Sequence, residues 1–295
     1  MKTISLGGIA VDKVFEMQAD MPIRFGFPDI QRQELERLAT WHTSEELTTD
    51  LETCAIRISV HSYVLRSGGI NILIDTCNGN HKQRSVPFAN DLDTPYLELL
   101  GRAGLRPQDI GLVLCTHLHG DHIGWNTRLE NGRWVPTFPN ARYLFSRRDY
   151  DFYQTQQHEA LHREAFDDSI LPVVAAGLAE IVDSDHIVQH EIGEGVWLQD
   201  AHGHSPGSVT VHARRGGREA VFTGDAFHHP VQLVRPAMHF FADEDPVQAA
   251  ATRAGLFDRY AETDAVIFPA HFPGKSAGVI RRDGEAYRFE FLAEA

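Results

Sequence analysis

At 295 residues the chain is long enough for one large domain or two small ones, and 42% hydrophobic with 23% charged residues is the composition of a soluble globular protein. Its formal net charge of −14, from 41 acidic residues against 27 lysines and arginines, opposes both a nucleic-acid backbone and an anionic membrane surface, so neither is expected as a partner. Cys54, Cys77 and Cys115 are too few for a disulfide framework, no apolar run is long enough to span a bilayer, and Met1–Val14 lacks a secretory apolar stretch; a reduced, cytoplasmic setting is expected.

Residues 1–50 mix proline, phenylalanine and charge, as in Met21-Pro22-Ile23-Arg24-Phe25-Gly26-Phe27-Pro28. They read as a partly looped extension that packs on a main domain of residues 51–295 or forms the arm of a homodimer. Ile56–Leu65 and Ile70–Ile74 are apolar or alternating runs joined at Gly68-Gly69, the pattern of a β-hairpin. Thr94-Pro95 starts a helix, Gly104 and Pro107 end it, and Ile110–Cys115 follows as a short buried strand. Strands over Arg142–Phe145, Val196–Gln199, Ser208–Ala213, Glu219–Thr223 and Ala265–Phe268 are interleaved with helices over Arg147–Gln157 and Pro246–Tyr260, the second capped by Asp245. Strands that come both as hairpins and in alternation with helices imply an α/β sandwich of two packed sheets with helices outside.

Histidine is over-supplied, with 17 in the chain, and the densest cluster lies directly after the strand ending at Cys115: Thr116-His117-Leu118-His119-Gly120-Asp121-His122. Positions i and i+2 of an extended segment point the same way, so His117 and His119 can converge on one cation. Asp121 and His122 follow where the chain turns and can address a second. Imidazole nitrogen and carboxylate oxygen suit zinc and related divalent metals.

This HxHxDH motif resembles that of the metallo-β-lactamase superfamily. Three downstream segments agree in order: Gly203-His204-Ser205-Pro206-Gly207, Thr223-Gly224-Asp225 and Pro269-Ala270-His271. The resemblance covers roughly residues 55–275 and implies an αββα sandwich, two mixed sheets flanked by helices, with the site at one edge. It implies two divalent ions, zinc first, with manganese, cobalt or iron as alternatives. His117, His119 and His204 would hold one ion, Asp121, His122 and His271 the other, and Asp225 would bridge them. Asp75 would steady a ligand imidazole. The implied chemistry is hydrolysis by a hydroxide shared between the ions, with Asp121 and Asp225 orienting it.

Within the superfamily, the stretch Phe222–Gln232 followed by Asp245-Pro246-x-Gln248 and Arg253 is similar to the branch of N-acyl homoserine lactonases and methyl parathion hydrolase-like enzymes. That branch implies a small-molecule lactone or carboxylic ester as substrate, with a phosphotriester as alternative and β-lactam or thioester cleavage further off. One departure stands out. The lactonases carry a tyrosine three residues after the bridging aspartate, where this chain has His228, which could polarise a carbonyl or act as general acid. His202 is the rival to His204. His229 and His239 are expected at the surface, and Arg235 in a surface ion pair. Phe25, Phe27, Trp125, Phe152, Phe227, Phe240 and Phe241 are candidates for an apolar substrate wall.

Overall fold

Two long paired strands, one of them within the first 22 residues, set the architecture. The computed structural model describes residues 3–43, 47–155, 160–191 and 194–292. Ile4–Leu6 (β1), Ile9–Pro22 (β2), Ala55–Ser67 (β3), Ile70–Ile74 (β4) and Leu112–Leu114 (β5) begin the first sheet. A separate hairpin, Thr127–Glu130 (β6) and Arg133–Pro136 (β7), precedes Arg142–Ser146 (β8) and Ala179–Val182 (β9), which complete a seven-stranded order β1-β2-β3-β4-β5-β8-β9. The second sheet runs in chain order: Ile187–Glu191 (β10), Glu194–Asp200 (β11), Val209–Arg215 (β12), Arg218–Phe222 (β13), Val266–Phe268 (β14), Gly278–Asp283 (β15) and Ala286–Phe291 (β16).

Both sheets are mixed. The β4–β5–β8–β9 run and the β13–β14 pair are parallel, and the other pairings are antiparallel. Their inner faces meet in one core, where Leu65, Ile72, Leu112 and Leu144 pack with Val196, Val211, Phe222 and Phe268. Outside the first sheet, Tyr96, Leu100, Phe166 and Val173 cover Leu73 and Val113, and outside the second, Leu256 and Phe257 cover Val221 and Ile267. This is the αββα sandwich that the sequence implies.

Sequence patterning treats residues 1–50 as a partly looped extension, yet β2 pairs with β3 from Ala10–Arg66 to Pro22–Ala55. The register shifts between Phe15 and Met17, so Glu16 sits in a β-bulge. A bulge re-aims a side chain, and the buried Glu16 carboxylate accepts hydrogen bonds from the Asn78 and Gly79 amides (2.8 and 3.1 Å) and from the Trp125 indole (2.6 Å). β2 thereby anchors the loop after β4 and the segment after His122.

Strand geometry gathers the motifs at one edge. Asp75 follows β4, Thr116 follows β5, Thr223 follows β13, and Pro269 follows β14, while the His204 loop joins β11 to β12. The carboxyl ends of parallel strands lie at the same edge of a sheet, where open α/β sheets place their sites.

Candidate metal centre

The backbone around the site is held before any ligand is considered. Asp75 adopts φ +57°, a left-handed conformation that a non-glycine residue keeps only when its surroundings enforce it. Here the side chain supplies the enforcement. Its carboxylate accepts from the Thr116 amide (2.7 Å) and hydroxyl (2.9 Å) and lies 2.9 Å from His122 Nδ1. Gly224, at φ +48°, passes so close that a Cβ would stand 2.7 Å from Thr116 Cβ, which makes glycine obligatory before Asp225.

The structure brings His117, His119, Asp121, His122, His204, Asp225 and His271 together. His119 Nδ1 lies 2.9 Å from His204 Nε2, and His122 Nε2 lies 3.3 Å from His271 Nε2. Asp225 stands among them, its carboxylate oxygens 3.2 Å from His204 Nε2, 3.3 Å from His122 Nε2 and 3.1 Å from His271 Nε2. Asp121 Oδ2 approaches His122 and His271 at 3.7 and 3.6 Å. Three groups drawn from these seven residues are close enough to share an ion: His117 with His119 and His204, Asp121 with His122 and His271, and His117 with His122 and Asp225.

Charge is arranged around Asp225. Burial works against its anion, but the imidazoles of His122, His271, His228 and His204 hold its carboxyl well below the ordinary range. Burial pulls His122 down, while the carboxylates of Asp225, Asp121 and Asp75 lift it, to a net position well above the usual imidazole value. His117 and His119 are pulled well below that value, by burial first and then by neighbouring imidazoles.

Each ring also has a partner on its far side. His204 Nδ1 pairs with Asp243 Oδ1 (3.0 Å), His271 Nδ1 donates to the Ser59 carbonyl (3.0 Å), and His119 Nε2 meets the Tyr153 hydroxyl (2.8 Å). Sequence reasoning missed Asp243 and Tyr153, because no motif spacing links them to the histidines they orient. It also passed over His162 and Glu244, which lie near enough to His119 to form a further ligand group at the mouth.

His228 is buried in the site, with Nε2 3.0 Å from Asp225 Oδ2 and its ring stacked on Phe240 at 3.8 Å. His202 does not join the cluster and instead meets Arg148 (2.9 Å) and Asp200 (3.3 Å). His229, expected at the surface, is buried against Phe27 and His42, its Nδ1 accepting from the Val231 amide (3.2 Å). Arg235 pairs with Asp29 and Glu34. Of the aromatic candidates, Phe25, Phe240 and Phe241 form a continuous face leading outward from His228, whereas Phe27 and Phe227 are core and Trp125 stacks on Tyr96. The candidate helix end at Gln157, and His158, lie outside the described residues.

Among the described residues, no helix is long and apolar enough to cross a membrane. The sequence profile of the Metallo-beta-lactamase superfamily matches residues 56–271. N-acyl homoserine lactonase AiiA of Bacillus thuringiensis subsp. kurstaki is 27% identical over 236 residues, spanning 73% of this chain and 82% of that protein. Metallo-hydrolase mfmC of Annulohypoxylon moriforme is 29% identical over 180 residues, 58% of this chain and 42% of that one. The fold is similar to that of hydrolase AbOPH, with a TM-score of 0.81 at 23% identity over 99% of this chain and 97% of that one. It is likewise similar to that of AidC, a dizinc quorum-quenching lactonase, with a TM-score of 0.79 at 22% identity over 100% and 98%. With that profile across most of its length and that fold throughout, the chain is an enzyme of the Metallo-beta-lactamase superfamily.

Proposed function

We propose that the protein is a metal-dependent hydrolase that opens a lactone or cleaves a carboxylic ester at a two-cation centre. The observation that carries this reading is a set of nitrogens whose lone pairs face one another. His271 Nδ1 donates to a carbonyl and His122 Nδ1 to the Asp75 carboxylate, so in the neutral rings that metal ligation requires, the Nε2 atoms that meet at 3.3 Å both present lone pairs. His204 Nδ1 donates to Asp243, so its Nε2 likewise presents a lone pair to His119. Among the described residues, the buried His117 Nε2 has no hydrogen-bond partner. Buried lone pairs converging without donors are costly unless a cation lies between them.

The donor set of imidazole and carboxylate fits zinc and similar divalent ions. His117, His119 and His204 would hold one, Asp121, His122 and His271 the other, with Asp225 between them. Such ions supply an acidified water and polarise a carbonyl oxygen. The chain's own groups do the rest. Asp75 and Asp243 fix which nitrogen of His122 and His204 faces inward, which sets ligand basicity. Asp225 holds negative charge at the centre, and His228 pins it through Nε2. His228 also stands where it can hold a proton for the departing oxygen. Phe240, Phe241 and Phe25 follow at ring separations of 4.7 and 4.5 Å, and Phe25 and Phe241 are 56% and 48% exposed, an apolar ramp suited to an acyl chain.

The relatives named N-acyl homoserine lactonase and the lactonase AidC favour the lactone. A phosphotriester is the second reading, favoured by His228 at the position where lactonases of this branch carry tyrosine. A panel of acyl lactones, aryl esters and phosphotriesters on metal-loaded protein ranks them by kcat/KM. Lactones and esters should lead; phosphotriesters leading by tenfold would replace this reading with the second. His228→Ala should lower kcat about 10²-fold, the low end for a proton-transfer group, with metal content unchanged. An unchanged kcat would remove His228 from the reaction.

A further inference from the structure

Resting on the two-cation reading, we infer that Asp149 is a positioning residue that preassembles His117, His119 and His204 and thereby controls one cation position separately from the other. Asp149 lies in the first turn of the helix Arg147–Thr155, directly after β8. It is fully buried, and among the described residues no lysine or arginine is paired with it and the donors it meets come from two loops. The Leu118 amide, between His117 and His119, donates to Oδ2 at 3.1 Å. The Ser205 hydroxyl lies 2.8 Å from both carboxylate oxygens, and the Gly207 amide donates to Oδ1 at 2.5 Å. Ser205 directly follows His204. One carboxylate thus ties the loop carrying two of the imidazoles to the loop carrying the third.

The loops are fitted to this contact. A Cβ at Gly207 would stand 2.5 Å from the Asp149 amide nitrogen and 2.8 Å from its Oδ1, so only glycine lets the second loop come close enough. Ser205 also bonds Ser208 through its hydroxyl at 2.7 Å, which closes the turn beneath His204. The groups assigned to the other position are held differently. His122 is held by Asp75, and His271 is held by the Ser59 carbonyl. Asp149 touches none of these, so its influence divides the two positions.

A buried carboxylate with only donors around it has no tolerance for an amide. In Asp149→Asn the NH2 group would face the Leu118 or Gly207 N–H, and one loop would release. Zinc competition against a chromophoric chelator tests this. Wild-type protein should bind two zinc ions tightly. Asp149→Asn should keep one and hold the other roughly 10- to 100-fold more weakly, the range for groups that orient metal ligands. Ser205→Ala, which removes a single hydroxyl, should shift the same position in the same direction by less, and it serves if Asp149→Asn does not fold. Adding His204→Ala to Asp149→Asn should weaken that same position further and leave the other intact, whereas adding His271→Ala should weaken both positions. Equal weakening of both positions, or a lowered Tm with both affinities intact, overturns the inference and leaves the hydrolase reading standing. Wild-type protein that binds no zinc overturns both.

Discussion

Protein stripped of divalent metal should hydrolyse neither lactones nor esters, and re-adding zinc should restore wild-type activity but leave Asp225→Ala below about a thousandth of it. The magnitude follows from position. Asp225 approaches His122, His204, His228 and His271 within 3.3 Å, and His117 at 3.9 Å, so five imidazoles surround its carboxylate. On the two-cation reading, its loss would remove a shared ligand and also the negative charge that offsets the two ions. Removing a single neutral oxyanion donor costs roughly 10²–10³-fold in kcat, and an anionic shared ligand should exceed that. Metal content and hydrolysis should therefore fall together in Asp225→Ala, while far-UV circular dichroism stays that of the folded chain. Full activity in the stripped wild type, or in Asp225→Ala, would remove metals from the chemistry.

Arg253→Met should destabilise the protein by about 3–5 kcal/mol, the cost of breaking a buried ion pair by removing one partner. At roughly 2–4 °C per kcal/mol for a chain of this size, Tm should fall on the order of 10 °C. Arg253, on the helix Pro246–Tyr260, is fully buried, and its guanidinium donates to the carbonyls of Ala226 (2.8 Å), Pro236 (2.8 Å) and Met238 (2.6 Å), with Asp243 Oδ2 at 3.4 Å. Methionine fills much of the volume and replaces none of these bonds, leaving Asp243 and three carbonyls buried and short of donors. Because Asp243 orients His204 and Ala226 adjoins Asp225, zinc binding should weaken as well. Thermal unfolding of the stripped protein separates the stability loss from the metal effect, and a Tm within 2 °C of wild type would show that water replaces the guanidinium.

The convergence of the candidate ligands could be read from the sequence because neighbouring residues carry most of them. His117, His119, Asp121 and His122 fall within six positions after a strand, and a turn is enough to bring them together. The carboxylates that position them could not be read in the same way. Asp149 reaches Ser205 across 56 residues, Asp243 reaches His204 across 39, and Glu16 reaches Trp125 across 109. Each is an ordinary acidic residue until the sheets stack. The same reason hid β2. Its Lys13, Glu16 and Asp20 break the alternation of a half-buried strand, because Glu16 occupies a bulge and turns inward rather than out. His229 was misplaced for the opposite reason, since its neighbours in sequence give no sign of the aromatic pocket that Phe27 and His42 form around it.

The bond from His271 to Ser59 spans 212 residues and so fixes when the centre can exist at all. His271 is the last of these groups along the chain, and β14, which carries it into place, follows Asp225 in the sequence. Strand pairings of such high contact order form late. The centre is therefore complete only once β14 has paired with β13 and set His271 against Ser59.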